Sequence, residues 1–389
     1  MKRLFAAVTA IIMIFSLSVG LFADSGILET VTETTLPFDV NAKSAVLMDF
    51  NTGTVLYAKN EKEALPPASV TKVMTLLLIM EAIDSGKLSL ESTLTVSEYA
   101  ASMGGSQVFL ETGETMRADE LIKCVVIASA NDAAVTLAEA VAGSEEAFVA
   151  AMNARATELG MTCTFFENVT GLDDDTEKHL TSALDIAIMS RELMKHKKIF
   201  EYSTVWMDSI RNGSFGLTNT NRLIRFYNGA TGLKTGSTSK AGFCISATAE
   251  RDGLHLIAVI MGAENRDARN EAAKALLDYG FANYSVYTAS GGTTGEINVS
   301  GGDERCVFGK YDGTEFLVRK GEESSVDIKV EIYEDIKAPV SIGNKIGSVK
   351  YTIGDKTLCE TDIISDRSVE IMTFGKHLVR LMRAFLLKY

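Results

Sequence analysis

The sequence predicts an α+β protein in which an antiparallel sheet carries a helical lobe, followed by a small all-β domain. Two strand-like runs near the start are followed by a block of helical patterns and then by three more strand-like runs. Strands from both ends of such a segment can pair in one sheet, with the helices between them in the chain. After residue 285, short strand-like runs separated by Gly, Asp and Asn are typical of a separate all-β unit.

Periodicity and turn residues place the elements of the first domain, expected over 24–285, and of the second, expected over 286–371. The predicted strands of the first domain are 44–50, 54–59, 233–236, 241–250 and 254–262. Its predicted helices are 69–83, 119–142 with a break at 129–131, 145–159, 181–194 and 270–279. The predicted strands of the second domain are 306–308, 316–320, 326–332 and 345–353.

The charge distribution points to a membrane and away from nucleic acid. The chain has 389 residues, with 38 Lys and Arg against 51 Asp and Glu, and a net charge of −13. Such an acidic balance excludes nucleic acid as the main partner, because phosphate binding needs a basic surface. The two ends, 1–23 and 372–389, are nevertheless basic and apolar and contain no acid.

The first end has the layout of a secretory signal. Lys2 and Arg3 precede an uncharged stretch, 4–23, that ends in small residues. We expect a cleaved signal peptide over 1–23. The alternative is an uncleaved span, because a stretch of about 20 residues can just cross a bilayer. In both cases the body of the protein is exported.

The other end, 372–389, predicts an amphipathic helix that lies on the membrane surface. Its apolar residues recur at helical spacing and its cations fall on another face, where they can meet anionic lipid. The apolar residues are Phe374, Leu378, Leu381, Met382 and Phe385, and the cations are Lys376, Arg380 and Arg383. The segment is too short and too charged to span a bilayer. The alternative is an ordinary terminal helix packed on the body.

The five cysteines and four histidines show no metal-binding motif. There is no CxxC pair and no Cys–His cluster, so a zinc site is not predicted. The odd cysteine count leaves at least one thiol free. Cys124 and Cys244 lie in apolar stretches and are predicted to be buried.

The segment Ser69–Lys72 carries the first catalytic pattern. A Ser and a Lys three residues apart on a helix have neighbouring side chains. A Ser hydroxyl becomes a good nucleophile when a base takes its proton, and a Lys can be that base if burial or nearby cations lower its pKa. A second copy of the spacing, Ser237–Lys240, has no helical setting. The spacing alone therefore does not identify a site.

Two further fragments make a coincidence improbable. Ser129-Ala130-Asn131 is the only Ser-x-Asn in the chain and lies in a break between predicted helices. Lys234-Thr235-Gly236 is the only Lys-Thr-Gly and lies on a strand that opens a hairpin. The three fragments in this order form the signature shared by class A β-lactamases and penicillin-binding proteins.

The catalytic residue types fit acyl transfer through a covalent intermediate. Ser69 would attack a carbonyl and form an acyl-enzyme, and Lys72 would accept its proton. Ser129 can pass a proton to the leaving amine, while Asn131 orients Lys72 and the substrate amide.

The third fragment fits binding of the substrate. Lys234 supplies positive potential and Thr235 a hydroxyl for a substrate carboxylate. Gly236 lets its strand approach the substrate closely. The backbone N–H groups of Ser69 and Ser237 are candidates for the oxyanion hole.

The sequence resembles the D-alanyl-D-alanine carboxypeptidases, which are low-molecular-mass penicillin-binding proteins. The resemblance covers about 40–285, and 286–371 more moderately. Besides the three fragments it rests on the segments 168–173, 180–185, 219–221, 229–236 and 241–243. It implies that Arg269 supports the carboxylate pocket. Ser237 stands where some members have His, which leaves the substrate preference open.

The resemblance implies a β-lactamase/transpeptidase-like fold and removal of the terminal D-Ala from peptidoglycan stem peptides by water. It also implies covalent capture by β-lactam antibiotics, no metal and no organic cofactor. The protein would sit peripherally on the extracytoplasmic face of the cell membrane, held there by the tail. The family expectation for the all-β domain is a pedestal that holds the catalytic domain off the membrane.

Two alternatives stay open at this point. A class A β-lactamase would need a Glu-x-x-Leu-Asn segment to activate the deacylating water, but the chain has no Leu-Asn dipeptide. Glu167-Asn168 lies in a plausible region with the wrong spacing. A wall-binding scaffold with a silenced site is the non-enzymatic alternative, because a fold does not prove activity.

Overall fold

The computed structural model describes residues 38–174 and 176–386, and the predicted signal peptide 1–23 lies outside them. The strands within these ranges are β1 (Ser44–Asp49), β2 (Val55–Lys59), β3 (Thr93–Thr95), β4 (Thr115–Arg117), β5 (Met207–Ile210), β6 (Phe215–Thr218), β7 (Ala230–Thr238), β8 (Gly242–Arg251), β9 (Leu254–Ala263), β10 (Tyr284–Ala289), β11 (Gly292–Asn298), β12 (Cys306–Tyr311), β13 (Thr314–Arg319), β14 (Asp327–Ile332), β15 (Lys345–Ile353) and β16 (Lys356–Ser365). The α-helices are α1 (Lys72–Asp84), α2 (Glu98–Ala101), α3 (Ala118–Lys123), α4 (Asn131–Ala142), α5 (Glu145–Glu158), α6 (Ala183–Lys195), α7 (Phe200–Ser203), α8 (Leu223–Phe226), α9 (Arg266–Asn283) and α10 (Phe374–Leu386).

A five-stranded antiparallel sheet forms the centre of the first domain. Its strand order is β2-β1-β9-β8-β7, so strands from both ends of the segment pair, as predicted. Successive residues of a strand point to opposite faces. Val46 and Met48 of β1 therefore pack into the core with the helical lobe, whereas Ala45 and Leu47 pack into the core with α9. The predicted α+β class is confirmed.

The helical lobe places α1 against the sheet. Most of the α1 residues are buried, as expected for a helix that is apolar on nearly all sides. The turn that precedes α1 lies against β7, where a Cβ on Gly236 would come within 2.7 Å of the Ser69 nitrogen. This contact brings the Ser69 segment to the edge of the sheet.

Two predicted helices have different bounds in the structure. The helix expected from Ser69 begins at Lys72, and a 3-10 turn spans Ala68–Thr71. This turn has the tighter 3-10 geometry and begins with Ala68 at a left-handed φ of 49°, so the α-helical hydrogen-bond pattern starts only after it. The segment 119–142 is divided by a π-turn at Cys124–Ala128 and by a left-handed residue at Ser129, with φ of 64°.

Sequence patterns missed the short strands of the first domain and made its last helix too short. The hairpins β3–β4 and β5–β6 were not predicted, because strands of three or four residues carry little alternation. The last helix of the first domain is longer than the expected 270–279, because Asn265 caps it by accepting a hydrogen bond from the Ala268 backbone nitrogen.

The second domain is entirely β, apart from a short 3-10 turn. A five-stranded sheet of order β11-β12-β16-β15-β14 and the two-stranded sheet β10-β13 share a core that includes Val307, Phe316, Val349 and Tyr351. The chain passes directly from α9 into β10. The predicted all-β fold of this part is confirmed.

The tail helix α10 has no buried residue. Phe374 is 84% exposed and Phe385 is 75% exposed. The prediction that Lys376 is free to meet lipid differs from the structure. Its Nζ donates to Asp303 Oδ2 at 2.7 Å and also to Glu370. Residues 387–389 of the predicted tail lie outside the described residues. In the part of the chain that the structure describes, no helix is long and apolar enough to cross a bilayer.

Candidate active site

Ser69 lies on the 3-10 turn between Pro67 and α1, and its side chain is half-buried. The turn sets the Ser69 side chain next to that of Lys72, which is the first residue of α1. The distance from Lys72 Nζ to Ser69 Oγ is 2.9 Å. The predicted neighbouring pair is therefore in contact, although the backbone between the two residues is a 3-10 turn.

Lys72 is fully buried and has three polar contacts. Its Nζ lies 2.6 Å from Asn131 Oδ1 and 2.9 Å from the Thr170 carbonyl oxygen, besides the contact with Ser69. The amide and the carbonyl oxygen can only accept. An uncharged amine has two N–H groups, which satisfy these two acceptors, and one lone pair, which is then left for the Ser69 hydroxyl. The geometry suits a Lys that accepts a proton from Ser69.

The surroundings of Lys72 favour its uncharged form. Burial lowers its pKa well below the usual lysine range, and repulsion from Lys234 lowers the pKa further. The buried Asp132 carboxylate acts in the opposite direction. Burial is the dominant cause, so the surroundings of Lys72 favour the form that can accept a proton.

The second fragment reaches the site through the left-handed residue Ser129. This conformation ends the π-turn and lets α4 begin at Asn131. Asn131 is buried, and both polar atoms of its side-chain amide are hydrogen-bonded. Oδ1 accepts from Lys72, and Nδ2 donates to the Gly104 carbonyl oxygen at 2.7 Å. Asn131 thus orients Lys72, and only its second N–H is left for a substrate amide.

Asp132, which sequence reasoning did not single out, fixes the loop that holds Asn131. Its buried carboxylate accepts from the backbone nitrogens of Val108 at 3.1 Å and of Leu110 at 3.0 Å. These bonds position the chain just after Gly104. The only sequence signal was an acidic residue in the first turn of a helix, which is a common pattern.

The third fragment lies on β7. Lys234 is buried, and its Nζ donates to the Thr235 carbonyl oxygen at 2.9 Å. Burial and the nearby charge of Arg269 lower the pKa of Lys234 to about 7. The Thr235 hydroxyl donates to Thr220 Oγ1 at 2.8 Å. Two buried cations and a hydroxyl next to them suit a carboxylate ligand.

Arg269 comes from α9, far along the chain, and is buried. Its guanidinium donates to the Asn270 side-chain oxygen through Nε at 3.1 Å and through Nη2 at 2.9 Å. Burial and the positive charge of Arg266 lower its pKa to about 10. It remains a cation at neutral pH.

Gly236 packs against the backbone of the Ser69 turn, whereas the sequence predicted close approach to the substrate. A Cβ there would lie 2.7 Å from the Ser69 nitrogen and 2.9 Å from the Val70 nitrogen. The glycine is therefore required by the protein's own backbone, whereas we expected it to be required by the substrate. The next residue, Ser237, is exposed at the end of β7.

A loop at 168–173 completes the surroundings of the Ser–Lys pair, and sequence reasoning gave it no role in the site. Besides the Thr170 carbonyl, Gly171 packs so tightly that a Cβ would lie 1.9 Å from the Ala68 carbonyl oxygen. A Gly with φ of 80° is the only residue type that fits there. The second copy of the Ser-x-x-Lys spacing lies on the other side of this loop, where Lys240 donates to the Asp173 carbonyl oxygen.

Within the described ranges, no group of three or more His, Cys, Asp or Glu side chains could hold a metal ion. All five cysteines are free thiols, and Cys124 and Cys244 are buried. A serine hydroxyl, a buried lysine amine and several backbone groups lie together at the edge of the sheet. This arrangement, on a sheet with a helical lobe, is that of a serine hydrolase.

Comparisons with known proteins identify the family. Residues 30–265 match the model of the D-alanyl-D-alanine carboxypeptidase family, and residues 283–371 match the C-terminal domain of penicillin-binding protein 5. The chain belongs to the D-alanyl-D-alanine carboxypeptidase family. Its activity is that of a serine-type D-alanyl-D-alanine carboxypeptidase of the penicillin-binding type, and the β-lactamase and scaffold alternatives are not favoured.

Individual relatives extend over most of the chain. It is 39% identical over 390 residues to the D-alanyl-D-alanine carboxypeptidase DacF of Bacillus subtilis, covering 98% of both chains. The structure of penicillin-binding protein 5 from Haemophilus influenzae is similar with a TM-score of 0.77 and 29% identity, over 87% of this chain and 100% of that one. The structure of penicillin-binding protein D2 from Listeria monocytogenes with ampicillin bound has a TM-score of 0.58 and 30% identity, over 63% of this chain and 100% of that one.

Proposed function

We propose that Ser69 is the nucleophile of the carboxypeptidase reaction and that Lys72 is its general base. The observation that carries this proposal is the buried Lys72 amine, whose two other contacts are acceptors and whose remaining contact is Ser69 Oγ at 2.9 Å. The amine takes the hydroxyl proton while Oγ forms a bond to the carbonyl carbon of the penultimate D-Ala of a peptidoglycan stem peptide. The lowered pKa of Lys72 supports this assignment.

The substrate's terminal carboxylate binds at Lys234, Thr235 and Arg269. The proximity of two buried cations and one hydroxyl supports this site, because a carboxylate compensates their charge and accepts their hydrogen bonds. The oxyanion forms beside β7, where the backbone N–H groups of Ser69 and Ser237 stabilise it. The close approach of Gly236 to Ser69 supports this position.

Collapse of the tetrahedral intermediate breaks the peptide bond and releases D-Ala. The proton that Lys72 took from Ser69 passes through Ser129, two residues before the start of α4, to the leaving nitrogen, and Lys72 is then uncharged again. Water then attacks the ester on Ser69, the C–O bond to Oγ breaks, and the shortened peptide leaves. Lys72 takes a proton from that water and returns one to Oγ.

Penicillin acylates the same serine and is released slowly. The three polar contacts of Lys72 include no carboxylate. Glu167, the acid of the region where a β-lactamase would need one, is exposed and accepts instead from the Lys178 backbone nitrogen at 2.8 Å. Among the residues that the structure describes, no hydrogen bond of Lys72 or of the Ser69 hydroxyl involves a carboxylate, which favours slow deacylation. The ampicillin-bound structure of the Listeria relative is consistent with such trapping.

The position of the penicillin adduct tests this assignment. After incubation of the exported protein with benzylpenicillin, we expect mass spectrometry of a digest to find one adduct, on the peptide that contains Ser69. An adduct on the peptide with Ser237, or no adduct under conditions where D-Ala is released, would contradict the assignment.

The domain organisation belongs to the same proposal. The signal peptide 1–23 directs the chain out of the cytoplasm, the carboxypeptidase domain extends over 24–285 and the all-β domain over 286–371. The match of the C-terminal domain from residue 283 and the start of β10 at Tyr284 support a boundary within a few residues of 285. Segment 372–389 holds the protein on the extracytoplasmic face of the membrane.

The exposure of α10 supports the membrane contact. Its apolar side chains, including Phe374 and Phe385, are among the most exposed of the protein, and Arg380 and Arg383 are exposed beside them. An amphipathic helix of this kind binds anionic membrane surfaces by burying its apolar face among the headgroups.

Deletion of 372–389 should release the mature protein from vesicles of anionic lipid and leave D-Ala release unchanged. The measurement is sedimentation with vesicles, together with a peptidase assay of the supernatant. Phe385→Glu, which keeps the helix but charges its apolar face, should weaken binding in the same assay. A full-length mature protein that stays in solution with the vesicles would refute the anchor.

A further inference from the structure

A chain of buried hydrogen bonds leads from the loop after Phe166 to the peptide group that precedes the nucleophile. His179 is buried, and its Nε2 lies 2.8 Å from the Thr71 hydroxyl. The Thr71 hydroxyl lies 2.9 Å from the Ala68 carbonyl oxygen, to which it donates. The sequence analysis assigned no role to His179 or Thr71. Thr71 occupies one of the two variable positions of the Ser-x-x-Lys pattern.

The direction of each bond in this chain is fixed. His179 Nδ1 lies 3.0 Å from the Glu167 backbone nitrogen, whose N–H donates to it. The ring proton is therefore on Nε2 and is donated to Thr71. Since the Thr71 oxygen accepts that proton, its own hydrogen is directed to the carbonyl oxygen of Ala68. Burial lowers the pKa of His179 to about 4, which keeps the ring neutral and this tautomer in place at neutral pH.

The Ala68 carbonyl and the Ser69 N–H belong to one planar peptide group. In a trans peptide the two groups point in opposite directions, so a bond that holds the oxygen also aims the hydrogen. The plane needs such support, because Ala68 has φ of 49°, a left-handed conformation that is unfavourable for a non-glycine residue. On the carbonyl side, Gly171 packs against Ala68. On the N–H side lies Gly236 of β7.

We infer that Thr71 and His179 are positioning residues that fix the Ser69 N–H in the oxyanion hole by holding the carbonyl of the same peptide group. The inference rests on the proposed role of Ser69. Acceptance of a hydrogen bond by the carbonyl also polarises the peptide group and strengthens its N–H as a donor. The effect is therefore expected on the chemical step, where negative charge develops on the substrate oxygen, and little on the initial binding of substrate.

The test compares Thr71→Val with Thr71→Ser and with Thr75→Val. Valine has the shape of threonine but no hydroxyl, whereas serine keeps the hydroxyl. Thr75 is a matched control: it is also a buried threonine whose hydroxyl donates to a backbone carbonyl, but it lies one turn further along, in α1, and its acceptor is Val169, at 2.7 Å, instead of Ala68. The measured quantities are the limiting rate of acylation by a fluorescent penicillin and the penicillin concentration that gives half of that rate.

We expect Thr71→Val to lower the limiting acylation rate about tenfold to hundredfold, a part of what loss of an oxyanion-hole donor costs. The half-saturating concentration should stay within about threefold, because carboxylate binding at Lys234 is untouched. Thr71→Ser should restore most of the rate, and Thr75→Val should destabilise the fold to a similar degree without the selective loss. His179→Phe should show a smaller loss of the same kind, since Thr71 can still reach Ala68.

Equal limiting acylation rates for Thr71→Val and Thr75→Val would overturn the inference. So would a Thr71→Val protein in which the half-saturating penicillin concentration rises while the limiting rate is unchanged. If Thr71→Val does not fold, His179→Phe decides by the same criteria. Failure of the proposed function gives a different result: the unaltered protein would not be labelled at Ser69.

Discussion

Ser69→Ala is expected to abolish both D-Ala release and covalent labelling by penicillin. The substitution removes only the oxygen that forms the ester, so no acyl-enzyme can form. Loss of the nucleophile in serine hydrolases lowers the rate by about 10⁶-fold. The measurements are release of D-Ala from a peptide ending in D-Ala-D-Ala and fluorescence of the penicillin-treated protein on a denaturing gel.

Ser85→Ala is the matched control for this variant. Ser85 follows the last residue of α1, is exposed, and its hydroxyl donates to backbone carbonyls of α1. It should retain full activity and full labelling. A Ser69→Ala protein that has the thermal stability of the unaltered protein and still becomes labelled would show that the nucleophile lies elsewhere.

Lys72→Gln should lower acylation about 10²–10⁴-fold, the usual contribution of a general base. Glutamine keeps a neutral hydrogen-bond donor for the Asn131 oxygen but has no lone pair that can accept the Ser69 proton. The reaction is followed with the same fluorescent penicillin at increasing times. Acylation within tenfold of the unaltered protein would exclude Lys72 as the base.

The pH profile of the unaltered protein provides the second check on Lys72. Its pKa is lowered by burial, so the uncharged amine predominates above that pKa. Acylation should therefore fall as the pH falls through the lowered pKa of Lys72. On the alkaline side, Lys234, with a pKa of about 7, loses the charge that attracts the substrate carboxylate. A bound carboxylate opposes that loss, so the decline should be seen in kcat/KM more than in kcat.

Local sequence patterns predicted the strands of the central sheet correctly. They were less accurate for the segments around Ser69 and Ser129. Nearly continuous runs of apolar and small residues in β1, β8 and β9 mark strands whose two faces are both buried. By contrast, the left-handed residues Ala68 and Ser129 interrupt their helices without any Gly or Pro at those positions. Tertiary contacts surround these conformations: Gly171 packs against the Ala68 carbonyl, and Asn131, two residues after Ser129, bonds Lys72. Propensity rules do not include such contacts.

The roles of the loops at 104–110 and 168–173 could not be predicted for a related reason. Their contribution to the site comes largely from backbone carbonyls, those of Gly104 and Thr170. Every residue has a carbonyl, so the sequence does not mark which one will accept a bond from a catalytic side chain. In the loop at 168–173, Gly171 is a residue whose type is required by its position. A glycine between a Thr and a Leu has many possible structural meanings, so the sequence did not reveal this one.

By itself, the sequence determined the residue types of the chemistry: a serine, a lysine, a second serine with its asparagine, and the Lys-Thr-Gly strand, all in a fixed order. It also determined which segments form the strands of the central sheet. Tertiary structure alone decided the surroundings of the Lys72 amine beside Ser69, because the partners that hold it, Asn131 and Thr170, are 59 and 98 residues away in the chain. The pKa of an amine depends on the charges, dipoles and water around it, and these are set only when distant segments pack together.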